Sequence, residues 1–345
     1  MALSASERQI ADSLLSHNLD LLRLNAGMRL DALKVLKRLE RELVSRLSAG
    51  TLTEYSKAAA DYLLASVKAV TQKYYADISA KADEALAVMS QVQQQVVRTA
   101  LAEVGYGAAL APATHFATAL TDVLIQGAPS KDWWAKQADD VVFKFSNAVR
   151  QGIVQGKTNG DIIREVRTVM DVGRANAAAL VQTSVQQVAN SSLIETFKQN
   201  ADVIKGMMQL STLDSHTTDV CMAYNGAEWD LDEEPMGDTK LPFNGGPPRH
   251  WNCRSVLVPI TKSFAELGMN APEMQGGARA STDGPVAANT TFGDFLERKG
   301  KAFQDEMLGK GRAELWRNGT ITLPQLLDQK GNPLTLAELK AKYVK

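Results

Sequence analysis

Proline is nearly absent from the first 200 residues, where only Pro112 and Pro129 occur. A proline inside a helix removes a backbone donor and clashes with the preceding turn, so its scarcity permits long uninterrupted helices. The same stretch is rich in Ala, Leu, Gln, Lys, Arg and Glu, all strong helix formers. Leu14, Leu21, Met28 and Val35 recur at seven-residue intervals, and Leu15, Leu22, Leu36, Leu39, Leu43 and Leu47 widen the stripe. This pattern predicts one apolar face on a long amphipathic helix over 8–47. Gly50 and Thr51 interrupt it, and Thr53 is placed to cap a second helix over 54–103. The apolar side of that helix is read as Val67, Val70, Tyr74, Ile78, Leu86, Met89, Val92 and Val96. Gly105, Gly107 and Pro112 end it. At 1.5 Å per residue the two helices are each about 60–75 Å long. Further helices are expected over 112–126, 131–156, 159–170 and 173–199, with Asp132 and Asn159 in cap positions. Long helices joined by short loops pack antiparallel. Their apolar stripe serves either as the core of this chain or as a docking surface for a partner's helices.

The pattern changes near residue 200. Met207 to Ser211 reads as a short strand, and Arg254 to Ile260 as a better one, β-branched and stopped by Pro259. Asn225-Gly226 is a turn signal of the hairpin type. An acidic loop starts at Trp229 and runs to Gly245-Gly246-Pro247-Pro248. A loop that long in a small module is either functional or tied down. Residues 266–291, made of Gly, Ala, Pro, Thr and Asn, read as a flexible linker. A helix over 292–317 and a last amphipathic helix over 335–343 follow, the latter with Thr335 and Glu338 as a capping box. The fold class is therefore mainly α: a long-helix N-terminal region, a small α+β module and a short helical tail. The expected segments are a helical hairpin or arm at 1–105 and a helical domain at 106–200. An α+β module at 201–265, the linker at 266–291 and the tail at 292–345 complete the chain.

Both cysteines of the chain and two of its four histidines lie between Asp214 and Arg254. His216 and Cys221 are five residues apart, and His250 and Cys253 three apart. Two short pairs joined by a longer loop can hold one zinc ion, because thiolates and neutral imidazoles compensate its charge and suit its tetrahedral geometry. On this reading Cys221, His250 and Cys253 are ligands, with His216 or Asp214 as the fourth. Such a site would be structural, a staple for a module that buries little core of its own. A Cys221–Cys253 disulfide, and two buried cysteines with hydrogen-bonded histidines, are the competing readings. Asp214, Thr217 and Thr218 suit local turn-forming bonds, and Arg254 is a partner for Asp214 or Asp219 through an exposed ion pair. Gln304, Asp305 and Glu306 read as a solvated helix face. Trp133 and Trp134 read as core.

The same stretch resembles the phage Mu F-like minor head proteins, also called head morphogenesis proteins. The resemblance rests on Asp214-Ser-x-Thr-x-x-x-Cys221 followed by Pro247-Pro-x-His250-x-Asn252-Cys253-Arg254. It extends upstream to the helix from Arg174 to Asn190 and downstream to Phe303 to Arg312, thus over roughly 150–345. Three positions depart from the family: Ser255 where a second Cys is frequent, His216 where Arg is frequent, and Ser184 where Glu is frequent. The resemblance implies a minor structural protein of a tailed-phage head, present in multiple copies and located in the virion, at the capsid interior or portal vertex, after assembly in the host cytoplasm. Its implied partners are the portal protein, the major capsid protein or both, with packaged DNA as a further contact, and its implied roles are head morphogenesis and DNA packaging or delivery.

Composition bears on the rival classes. Net charge is −1, with no long basic run, which argues against a dedicated nucleic-acid binder. No apolar run reaches the ~18–20 residues needed to span a bilayer, and the first residues lack the pattern of a signal peptide. Two cysteines suit a reducing compartment. No H-E-x-x-H, nucleophile elbow, P-loop or calcium-loop spacing is present, so the expectation is a protein that is not an enzyme. The alternative is a phage-encoded effector enzyme or a zinc-dependent hydrolase carried in the virion.

Overall fold

The computed structural model describes residues 5–49, 57–105, 123–263, 266, 278–281, 284–287 and 290–344. These form a mainly α-helical protein with a small three-stranded antiparallel sheet. Four long helices come first: α1 (Ala5–Ser48), α2 (Lys57–Glu103), α3 (Ser130–Val154) and α4 (Asn159–Gln199). They are followed by β1 (Ile204–Leu210), a short helix α5 (Asp219–Ala223), β2 (Glu228–Asp230) and β3 (Val256–Thr261). A ribbon of β4 (Ala278–Ser281) and β5 (Gly284–Ala287) precedes α6 (Phe292–Glu297), α7 (Lys301–Leu308), α8 (Lys310–Arg317) and α9 (Leu336–Tyr343). The expected cap at Thr53 and the expected helix start at 112 lie outside the described residues.

The chain divides into two compact units built from non-contiguous segments. One holds residues 22–89 and 117–185, the other 1–21, 90–116 and 186–345. In the first unit the stripe of α1 is buried at Val35, Leu36, Leu39, Leu43 and Leu47, as its periodicity predicts. Tyr75 of α2 packs against Trp134 of α3 with ring centroids 6.3 Å apart. Half-buried Glu40 accepts a 2.6 Å bond from Arg174. The sequence places a break between 170 and 173, but α4 continues through it. Gly173 is used for close packing: a Cβ there would lie 3.2 Å from both the Tyr75 hydroxyl and Val141 Cγ2. The cap before α4 is Thr158, one residue earlier than expected, whose Oγ1 accepts from Asp161 N.

In the second unit the buried face of α2 departs from the hydropathy reading. Val92 is exposed, while Ser90, Gln93 and Gln94 are buried beside Val97. Ser90 Oγ lies 2.8 Å from Ser192 Oγ, so this polar residue of the face is matched by a polar residue of α4. At Ser90, burial goes with a hydrogen-bond partner and not with side-chain apolarity.

The sheet has the order β2-β1-β3, with both pairings antiparallel. Met207 of β1 faces Trp229 on one side and Pro259 on the other. Pro259 therefore sits inside β3 and does not stop it. A proline is tolerated there because β3 is an edge strand, whose outward donors need no ladder partner. Helix α4 covers that edge: Asn190 Oδ1 accepts from Leu257 N at 3.0 Å, and Gln186 Nε2 donates to Ser255 O at 2.7 Å. Gly206 marks the crossing of β1 and β2, since a Cβ would meet the Trp229 carbonyl oxygen at 2.5 Å.

Two corrections concern the C-terminal third. The segment read as a linker, 266–291, contains the paired strands β4 and β5 among its described residues. The single helix expected over 292–317 is three helices, because Gly300 is extended and Gly309 takes φ +76°. Gln304 is buried and donates to the carbonyls of Leu296 and Lys299 at 2.9 and 3.0 Å, which ties α6 to α7. It is no part of a solvated face. Leu308, Leu326 and Leu339 form one core with Phe292, Phe295 and with Met222 of α5. The tail thus packs under the helix that carries Cys221, and Arg312 Nη1 reaches Asp219 at 2.5 Å. The last helix has the predicted capping box of Thr335 and Glu338.

Candidate metal centre

Two turns bring the donors together. In the first, Asp214 Oδ1 accepts from His216 N at 2.9 Å, and Thr218 then caps α5, its Oγ1 accepting from Cys221 N at 3.5 Å. Cys221 falls on the buried face of this single-turn helix, with its carbonyl held by Ser211 Oγ at 2.7 Å. In the second, Cys253 N donates to His250 O at 3.2 Å, and Asn252 takes a left-handed φ of +62°. Asn adopts that conformation more readily than most residues. The turn sets His250 and Cys253 on one side, just before β3.

Cys221 Sγ lies 3.6 Å from Cys253 Sγ and 3.2 Å from His250 Nε2. The three donor atoms fall within 4.8 Å of one another, so one metal ion can be shared by all three. Ligands of one tetrahedral zinc stand about 4 Å apart, and both cysteines are free, with a sulfur separation well beyond a disulfide bond. His250 Nδ1 sits 2.8 Å from the Trp251 carbonyl oxygen. A carbonyl only accepts, so Nδ1 carries the proton and Nε2 presents its lone pair toward the sulfurs. This is the outer hydrogen bond that orients a ligating imidazole. Thr218 Oγ1, 2.9 Å from Nε2, adds a polar neighbour.

The electrostatics favour a thiolate. The hydrogen bond from Cys221 pulls the Cys253 thiol well below its ordinary value, against burial and with help from His250. Cys221 is pushed up correspondingly, first by its bond to Cys253 and then by burial. Burial would lower His250, but the bond to Cys253 and its charge outweigh this and raise it. Two guanidiniums flank the pair. Burial brings Arg249 down to about 10, and its plane stacks 3.4 Å over the Tyr224 ring while Nε donates to Gln209 Oε1 at 2.7 Å. Arg254 donates two bonds to Asp214, one at 2.7 Å. This pair is largely shielded, contrary to the exposed pair expected, and Asp219 belongs to Arg312 instead. Burial would raise Asp214, but Arg254 and the His216 N–H outweigh it and hold the carboxyl below its usual range.

Of the predicted ligands, the structure unites Cys221, His250 and Cys253. His216 is exposed and borders the small cavity that Cys221 and His250 also line, while Asp214 spends both oxygens on Arg254 and the turn. Ser255, in the position of the family's frequent second cysteine, is buried and within hydrogen-bonding reach of the Cys221 sulfur. Sequence reasoning missed Arg249 and the pair Gln186 and Asn190. Two amides four residues apart on an otherwise apolar helix face were the available signal for that pair.

Residues 143–258 match the family model described as Phage Mu protein F like protein. The Phage Mu F-like segment covers about a third of the chain and bears out the resemblance read from the motif residues. It runs from within α3 into β3 and includes all three donors. Neither the curated proteins nor the solved structures provide a match to the chain. Among the described residues, no helix is long and apolar enough to cross a membrane.

Proposed function

We propose that this chain is a minor structural protein of a tailed-phage head, acting in head morphogenesis and in DNA packaging or delivery. The observation that carries this reading is the Phage Mu F-like match over 143–258, whose C-terminal part holds the Cys/His cluster. In this reading the protein sits in the virion, at the portal vertex or capsid interior, and contacts the portal protein, the major capsid protein or both. Packaged DNA is a further contact. The module holds one Zn2+ through Cys221, His250 and Cys253. Two sulfurs and one imidazole are the donor set that zinc prefers. The ion would join the single turn of α5 to the loop before β3. Its role is structural, and the chain binds without turning over a substrate.

A second reading draws on one observation: among the described residues, three protein donors converge. A three-ligand zinc with water in the fourth position is the hydrolytic arrangement, as in a virion-borne hydrolase. Against it stands Asp214, the nearest sequence-predicted carboxylate, which is bound to Arg254 and so is a poor general base. A mass-spectrometric inventory of purified particles tests the main reading. The chain should be a virion component in several copies per head. A chain found in the lysate and absent from particles would refute it.

A further inference from the structure

A groove of about 650 Å³ lies in the helical unit 22–89/117–185, between α1 and α2 with Val181 of α4 at its base. It is remote from the Cys/His cluster in sequence and belongs to the other unit. Its floor is apolar, and Ala32, Val35, Ile78 and Ala82 are all buried. Its rim is basic. Lys34, Lys37, Arg38 and Arg41 run along α1, and Lys81 stands on α2, all exposed. One acid, Asp31, lines it, and that acid is occupied by Lys34 at 3.0 Å. Lys37, Arg38 and Lys81 make no ion pair among the described residues, and Arg41 bonds only the Lys37 carbonyl. A whole-chain charge of −1 therefore conceals a local surplus of four positive charges around a recessed apolar floor.

We propose that this groove receives an acidic amphipathic helix of another polypeptide. The apolar floor takes the partner's apolar stripe, and the cations take carboxylates that flank it. Helix-in-groove docking has this anatomy, with apolar anchors giving affinity and the charged rim giving orientation and rate. The spacing of Lys34, Lys37, Arg38 and Arg41 presents charge along about two turns of α1. It matches acids at i, i+3 or i+4, and i+7 on a helix lying alongside. A nucleic-acid backbone is the poorer occupant, because phosphates gain nothing from a recessed apolar floor.

The test uses the full chain and two fluorescent peptides of about 18 residues, long enough for five turns. Both carry one leucine face. One has glutamates flanking it and the other lysines. The Glu-flanked peptide should bind in anisotropy titrations, weaken with added salt, and lose at least tenfold in affinity on the double variant Arg38→Glu/Lys81→Glu. Both substituted residues are exposed, so the circular dichroism and melting of that variant should match the parent. Ala82→Trp, which fills the floor, should weaken binding without altering the rim. Failure of the Glu-flanked peptide to bind, equal binding of both peptides, or an unaffected double variant would overturn the proposal. Displacement of the peptide by a duplex DNA oligomer would overturn it too, and would assign the groove to nucleic acid.

Discussion

Replacing Asn190 by alanine removes the clasp between α4 and the strand that follows Cys253. Asn190 is fully buried. Its Nδ2 donates to Gln186 O at 2.9 Å and to Ser255 O at 3.2 Å, and its Oδ1 accepts from Leu257 N at 3.0 Å. The three bonds are not equivalent. Gln186 O is a helical carbonyl, and Ser255 O keeps its bond from Gln186 Nε2. Leu257 N, on the covered edge of β3, loses the partner the structure gives it, and an orphaned buried donor costs about 1–3 kcal/mol. Alanine recovers roughly 0.5 kcal/mol through its higher helix propensity. The net destabilisation is about 1.5 kcal/mol, which is roughly a tenfold change in an opening equilibrium. Native-state hydrogen exchange reads this at the Leu257 amide, whose protection should fall by about that factor. The reference variant is Ser90→Ala. It loses the 2.8 Å contact to Ser192, but Ser192 Oγ still bonds Val188 O, so its cost should stay below about 1 kcal/mol. Unchanged protection at Leu257 in Asn190→Ala, or a variant as stable as the parent, would show that the β3 edge is not held in this way.

Other expectations follow from the same structure. Gln304→Ala breaks both bonds between α6 and α7 and should destabilise the tail core by about 1–3 kcal/mol, whereas Glu306→Ala, on an exposed position, should change melting little. Asp214 has a folded pKa below its unfolded value, so its contribution is present above the unfolded value of about 3.8 and is lost as pH falls through the folded one. Acid titration should therefore loosen the 212–218 turn, and Arg254→Met should shift that transition to higher pH. Ser255→Cys places a third sulfur beside Cys221 and should tighten metal binding, measured by competition with a chelator. Metal binding should also release protons, because thiol protons must leave, and calorimetry in buffers of different ionisation enthalpy reads their number.

Much of the helical fold was legible because burial follows the apolar stripe wherever residues such as Leu36, Leu39 and Leu43 face other apolar side chains. The reading failed where a polar residue found a polar partner. Ser90 with Ser192 is the clearest example, and Val92 was displaced outward from the face they share. It failed again where glycine or proline did something other than break an element. Gly173 allows close packing of α4, and Pro259 is accommodated on an edge strand. At the candidate metal centre, the spacing of Cys221, His250 and Cys253 was enough to group them, since His250 and Cys253 sit in one tight turn. The fourth ligand was not readable. The Asp214–Arg254 pairing was anticipated, but that Arg254 and the turn together take both Asp214 oxygens follows only from the fold.

If a metal at Cys221, His250 and Cys253 holds the Cys/His module, the protein should carry it through purification. The most direct measurement is the metal content of the full-length protein, purified without chelator or added metal, by elemental mass spectrometry alongside its thermal melting. One zinc per chain is expected, and close to none in Cys253→Ser, with a lowered melting transition. A parent protein that is free of metal, and that melts at the same temperature with and without a strong chelator, would contradict it.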